Sequence, residues 1–563
     1  MISPLRKTIS VLFLLSALSL NSIAQTNVSG FISSNTTWNL AGSPYIVVSN
    51  ALLEHGYTLT IDPGVIVKFN DSTALQIDGN LIAIGTAQNR ITFTSNQIAP
   101  ASGDWGKIHF SDTSMSAVFD ASGNYLSGCI MKYCNVMYGG GLGFGEIHIE
   151  NSSPYFSHCT IQYSSQSGIY CNGSSYTIDS SSINNCTLYG FSFQDYLHNS
   201  CSLSIQYDTI TNNIIAGIYL GSPFTQCTSP IVRIINNCFL TNGTLASGHG
   251  AIYEDNDLIH PTISGNYFDN NRGDGVIDVA NAISDYMIEC NTFVNNETNF
   301  GCIHLSGDNG GIVRYNVFHG NISNYYSSVF YDRFTNSESH FYGNNIMNNI
   351  STANTCTFIG DMYWHPTMYI NDNIFFNNVA NTTIYLDGQN ATGTFNLFEI
   401  KRNNIMNPVN QYELYNNIPY GSPDIYADSN YWGTSSTLHI DSIIYDFFDL
   451  ANKSVVYYLP ISYFPILVDT ACKTSESGMA EMQFVSSYVF PNPFSENASI
   501  HFDKELQNAE LNMFNVLGQL VKSANLINGK EIILTRDLLN PGIYFYQVSE
   551  EQNKISQGKI IIY

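Results

Sequence analysis

A short asparagine-framed element returns every 22 to 30 residues through most of this chain, and it limits what the chain can fold into. Its clearest copies are NCFLTN, NYFDNN, NTFVNN, NVFHGN, NNIMNN, NIFFNN and NNIMNP, centred on Phe239, Phe268, Phe293, Phe318, Ile346, Phe375 and Ile405, with weaker copies at Met131, Ile161, Ile183 and Ile210. A period of that size is the signature of a solenoid. Leucine-rich repeats share the period but carry several Leu per unit at fixed spacing, and these units do not. Helical repeats need apolar residues three and four apart, whereas here they alternate. A second alternating segment follows each first one, as GIYC, GFSF, GIYL, AIYE, VIDV, CIHL, SVFY and TIYL. The expected fold is all-β: a parallel solenoid with two or three short strands per coil, each pairing with its equivalent one coil away. Asn in the turns can form side-chain ladders and tolerates left-handed backbone, so it has a structural role.

Upstream, residues 55–95 alternate in the same way and are broken by Pro-Gly, Asp-Gly and Ile-Gly turns, followed by GDWGKIHF at 103–110. An NYWG occurs at 430–433. These strings resemble the right-handed β-helix repeat family over residues 56–433. The resemblance implies a right-handed parallel β-helix and says almost nothing about reaction.

The two ends read differently. Residues 1–24 have a basic start at Arg6 and Lys7, an apolar run and a small-residue exit ending at Ala24, which is the pattern of a cleavable signal peptide. A membrane anchor would need a longer apolar stretch, so export without membrane insertion is expected. Residues 25–128 are expected to form a cap and the first coils, 129–433 the repeats, 434–468 the end of the helix and 469–487 a linker. Residues 488–563 then alternate between turns at PNP, LG, NG and NPG, which describes a small antiparallel β-sandwich. An adhesive immunoglobulin-like module would satisfy that pattern too. The order PNPF, NVLGQLV, NPGIYFY and a terminal KIII resembles the type IX secretion sorting domain. That resemblance implies recognition by outer-membrane secretion machinery, then cleavage, with the cargo released or coupled to the cell surface.

Composition narrows the partners. The chain carries 45 acidic and 20 basic residues, a net charge of −25, which repels phosphate backbones and makes nucleic acid an unsuitable partner. Twelve Cys in an exported chain permit disulfides. Eleven fall between Cys129 and Cys356, several beside the repeated apolar positions, as Cys159, Cys238 and Cys290 are, and stacked buried thiols would look the same. No CxxC pair or His/Cys cluster has zinc spacing, so no metal site is expected.

β-Helices serve many activities, so function has to come from residues. A uronate lyase needs a basic group and a clamp for the substrate carboxylate, yet the basic residues between Cys129 and Gly433 do not group by repeat position. SGHG at 247–250 is one element of a polygalacturonase site without the others, which leaves His249 as a turn residue. Arg272, Gly273 and Asp274 read as a turn, and the carboxylates Glu254, Asp255, Asp257, Asp269, Asp274 and Asp278 as solvated turn residues. Aligning the second segments puts one residue per coil on the outer face: Tyr170, Ser192, Tyr219, Tyr253, Asp278, His304, Phe330, Ile359 and Tyr385. Slightly further on come Asp195, Glu254, Asp308, Asp332, Asp361 and Asp387. The ligand site expected from these columns comprises Tyr170, Tyr219, Tyr253, His304, Tyr385, Asp308, Asp332, Asp361 and Asp387. Its aromatic and acidic stripes suit stacked sugar rings, or calcium held by oxygens, the one cofactor the pattern accommodates. The expected function is non-catalytic binding of glycan or another surface partner, with no assigned catalytic residue. A polysaccharide lyase or glycoside hydrolase is the alternative.

Overall fold

The computed structural model describes residues 25–562 apart from 174–175, 195–201, 222–230, 247, 256–259, 281–285, 307–309, 334–337, 353–354, 362–366, 389–396, 421–423, 473–486, 493, 516–519 and 551–552. The expected signal peptide at 1–24 lies outside the described residues.

Alternation and turn chemistry together produce a parallel β-solenoid. Each regular coil has three short strands, such as Ile231–Ile235, Cys238–Leu240 and Ile252–Asp255. The first strands of successive coils form a sixteen-stranded parallel face, and the second and third strands share a 31-stranded sheet. The expected column is in register: Phe239, Phe268, Phe293, Phe318, Ile346, Phe375 and Ile405 pair coil to coil. All are fully buried. The Phe rings stack at 4.7–4.9 Å, the spacing of neighbouring strands. The column continues upstream through Ile210, Ile183 and Ile161 to Val136. Met131 belongs elsewhere, because it pairs with Ala83 and Phe156 on the first face. The tight bend at positive-φ Tyr133 separates those two strands, and the regular period hides it.

Two asparagine ladders run inside the turns. In one, the backbone N–H of Asp208, Asn237, Asn266, Asn291, Asn316, Asn344, Asn373 and Asn403 each donates to the side-chain oxygen of the next ladder Asn, ending on Asn430. The second climbs through Asn213, Asn242, Asn271, Asn296, Asn321, Asn349 and Asn378 to Asn407, where Glu413 caps it. The Asn amides donate to the next rung and to strand carbonyls, as Asn296 does to Asn321 and Phe268. The residue before a rung is in the left-handed region, for example Asn236, Asn270, Asn295 and Asn348. The doubled Asn of the repeat therefore has two different tasks: one bends the chain and the next satisfies the buried bend.

Both expectations for cysteine hold in part. Cys129, Cys134, Cys159, Cys171, Cys186, Cys238, Cys302 and Cys356 are buried free thiols, whereas Cys290 is bonded to Cys472. That disulfide ends a strap that leaves the last coils and doubles back: Ser462 donates to Asn430, Ile466 bonds Asn404 in both directions, and Cys472 reaches the coil of Cys290. Beyond residue 486 a five-stranded antiparallel sheet encloses its own core around Ile500, Leu511, Met513, Tyr546, Val548 and Ile560.

Asn296→Ala removes the amide from four buried hydrogen bonds and should lower stability by about 2–4 kcal/mol, read from the midpoint of urea unfolding. Asn89→Ala, at an exposed turn, should stay within about 0.5 kcal/mol.

Candidate functional site on the third face

Because strand side chains alternate in and out, the third strands place one outward residue per coil in single file. Paired coil to coil, the file reads Gln76, His109, His148, Tyr170, Ser192, Tyr219, Tyr253, Asp278, His304, Tyr331, Ile359, Tyr385, Tyr415 and Tyr445. The structure thus brings the expected Tyr170, Tyr219, Tyr253, His304 and Tyr385 onto one face. It replaces Phe330 with Tyr331: a register shift after Ser327 turns Phe330 inward against Ile303 and Phe358.

The acidic column divides by parity. Asp387 lies two residues past Tyr385 and shares its face, where Asn417 donates to both Asp387 and the Tyr385 hydroxyl. Asp361 pairs with Asp387 in the same register. Asp332 and Glu254 each lie one residue past a file member and therefore point inward. Asp332 pairs with Leu305 and accepts from the Ser339 hydroxyl, and Glu254 sits between Leu220 and Val279. Glu254 is therefore a buried strand residue rather than a solvated turn group, and burial pushes its carboxyl well above the ordinary range. Asp195, Asp257 and Asp308 lie outside the described residues.

Two polar centres interrupt the aromatic file. At the middle, Asp278 accepts from His304 Nδ1 at 2.8 Å and faces His249 Nδ1 at 3.5 Å. Burial pushes the Asp278 carboxyl up, but the hydrogen bonds and charges of the two histidines outweigh it and hold the group below its ordinary value. His249 is thus more than a turn residue, since its ring also stacks on Tyr253 at 3.6 Å. Nearer the N-terminus, His109 and His148 stack at 4.6 Å, Lys107 Nζ donates to His148 Nδ1 at 2.8 Å, and His109 Nε2 meets Glu150 at 3.2 Å. Burial, then the charges of Lys107 and His109, hold His148 down at about 3. Burial also lowers Lys107 against the pull of Glu150.

Sequence reasoning missed this second centre. His109 and His148 are 39 residues apart, well outside the regular period, because an antiparallel hairpin, Val118–Phe119 with Tyr125–Ser127, is inserted between their coils. The available signal was the shared apolar-His-apolar string, Ile-His-Phe at 108–110 and Ile-His-Ile at 147–149.

The tyrosines also differ from expectation in what they offer. Tyr189, Tyr219 and Tyr253 stack on one another at 4.7 and 5.4 Å, and Tyr385, Tyr415 and Tyr445 at 5.2 and 4.3 Å. Ring faces are covered by neighbouring rings, so this surface presents ring edges and hydroxyls.

Comparisons with known proteins agree with the architecture. Residues 116–293 match the family model for a right handed beta helix region, residues 30–147 that for a pectate-lyase like beta helix domain, and residues 488–563 that for a secretion system C-terminal sorting domain. The chain is therefore a right-handed parallel β-helix protein carrying a C-terminal sorting domain. It is an export product of the type IX system, secreted and attached at the cell surface. No curated protein matches it. Among solved structures, the tailspike protein of E. coli bacteriophage HK620 in complex with pentasaccharide is 10% identical, covering 90% of this chain and 86% of that one at a TM-score of 0.23. A double mutant of the same tailspike gives 0.20. Such loose superpositions carry nothing about ligand. Among the described residues no helix is long and apolar enough to cross a membrane.

Because the Lys107 charge is one of the forces lowering His148, Lys107→Met should raise the His148 pKa from about 3 toward its ordinary value, as followed by NMR titration of labelled imidazoles.

Proposed function

We propose that the exported solenoid binds an extended neutral glycan along its third face without cutting it. The observation that carries this reading is the file of one residue per coil on that face, in which Tyr219, Tyr253, His304, Tyr385, Tyr415 and Tyr445 are part-exposed, whereas Tyr170, Asp278 and Tyr331 are buried beside them. Parallel coils stand about 4.8 Å apart, a pitch comparable to the rise of an extended glycan, so neighbouring sugars would meet neighbouring rungs where the file is part-exposed, at Tyr219 and Tyr253 and again at Tyr385, Tyr415 and Tyr445. Stacked rings with outward edges suit hydroxyl-to-hydroxyl hydrogen bonding rather than stacking of sugars on ring faces. The net charge of −25 favours a neutral polymer over a polyuronate.

The test uses the full-length exported chain on neutral and uronate polysaccharides, measuring retention and affinity. The triple change Tyr219→Phe, Tyr253→Phe and Tyr385→Phe keeps the stacking and removes three hydroxyls. It should weaken binding to a neutral polymer by about tenfold or more, at roughly 0.5–1.5 kcal/mol per hydrogen bond. Unchanged affinity would remove the third face as the site.

The alternative, a glycan-cleaving enzyme, has one specific observation in its favour. A buried carboxylate that orients two imidazoles, as Asp278 does with His304 and His249, is an arrangement suited to general acid–base work. Under that reading new reducing ends or unsaturated products appear on incubation, and His304→Gln abolishes them while retention persists. Retention without product favours the binding reading.

A further inference from the structure

We propose that His109, His148 and Glu150 form a site for a zinc-class divalent cation at the N-terminal end of the third face. His109 and His148 are register partners on adjacent coils, and Glu150 follows His148 by two residues, so alternation sends all three side chains to the same side. One ligand atom from each lies within 4.8 Å of the others, and no other group of three His, Cys, Asp or Glu among the described residues comes together in this way.

The chemistry of the set selects the ion. Two imidazoles and one carboxylate are the ligands of open tetrahedral zinc sites, which leave the fourth position to water or ligand. Calcium takes six to eight oxygens, and here only Glu150 supplies any. Zn–N and Zn–O bonds of about 2.0–2.2 Å require ligand atoms roughly 3.3–3.5 Å apart around a tetrahedron. His109 Nε2 and Glu150 Oε2 already stand at 3.2 Å. The remaining closure is a tilt of the His148 ring, which Phe144 and Tyr170 flank at 5.3 and 5.1 Å. Glu150 is 45% exposed and His109 17%, so the site opens to solvent on the carboxylate side.

Lys107 is the competitor. Its ammonium sits against His148 Nδ1 and over the Phe144 ring at 5.5 Å, as a cation held among groups that attract one. Metal entry therefore requires this flexible side chain to swing aside. His109 and His148 belong to the same file as the tyrosines but are not among those changed above, so loss of glycan binding in the tyrosine variant and loss of metal binding in Glu150→Gln are separate outcomes.

The experiment uses untagged full-length protein stripped with chelator, then titrated with Zn²⁺ alone by calorimetry and with Co²⁺ alone by visible absorption. One saturable equivalent with tetrahedral Co²⁺ bands is expected. Glu150→Gln and His109→Gln should each weaken that equivalent at least tenfold, and Lys107→Met should strengthen it. Thermal unfolding of the metal-free variants shows that the coils persist; Glu150→Gln, at an exposed position, is the change least able to disturb them. The proposal is overturned if no saturable equivalent appears, if the equivalent survives unchanged in Glu150→Gln, or if equimolar Ca²⁺ displaces Zn²⁺ from it.

Discussion

The buried amide at the inner corner of each turn is the interaction on which the rest of the solenoid depends. A left-handed residue bends the chain sharply and leaves backbone groups facing the interior, where no water reaches them. An unpaired buried amide costs on the order of 1–3 kcal/mol, and the bend recurs twice in each regular coil, so the cost would accumulate with every coil. The ladder Asn supplies both an acceptor for the rung below and a donor for the rung above. The planar Asn amide does both in one side chain. Each ladder also needs an end. Ser181 and Cys186 donate backbone N–H groups into the first rungs, and Glu413 and Asn430 close the last ones.

With the turns locked, the register of the flat faces follows. Locking explains why fourteen outward positions on the third face fall in one file although coil lengths vary. Extra residues are taken up in connections outside the strands, as in the inserted hairpin at 118–127. A surface built this way repeats its side chains at the fixed pitch of the coils.

Legibility in the sequence followed periodicity. The Phe column was readable from Phe239 onward because one apolar residue sat between two Asn at constant offset. The outward file was readable for Tyr170, Tyr219, Tyr253, His304 and Tyr385 because alternation carries sidedness. It failed at Phe330, where a register shift moves parity by one, and at Asp332 and Glu254, because a residue next to a file member along a strand points to the opposite face. The His109–His148 centre was hidden for a different reason: an insertion between coils breaks the period, and Lys107 lies upstream of the regular repeats. The disulfide partner of Cys290 was equally hidden, since Cys472 lies outside the repeats and reaches its coil only through the returning strap.

That strap has a mechanical consequence. The chain finishes its coils near Tyr457 and yet is fastened at Cys472 beside the coil of Cys290. Whatever is attached beyond that point, whether the sorting domain or a surface group that replaces it, pulls on the flank of the rod rather than on its tip. A load there is carried by a covalent staple into the interior coils, so the terminal coils are spared from peeling. A rod hung from its flank is also free to lie along a surface rather than stand out from it.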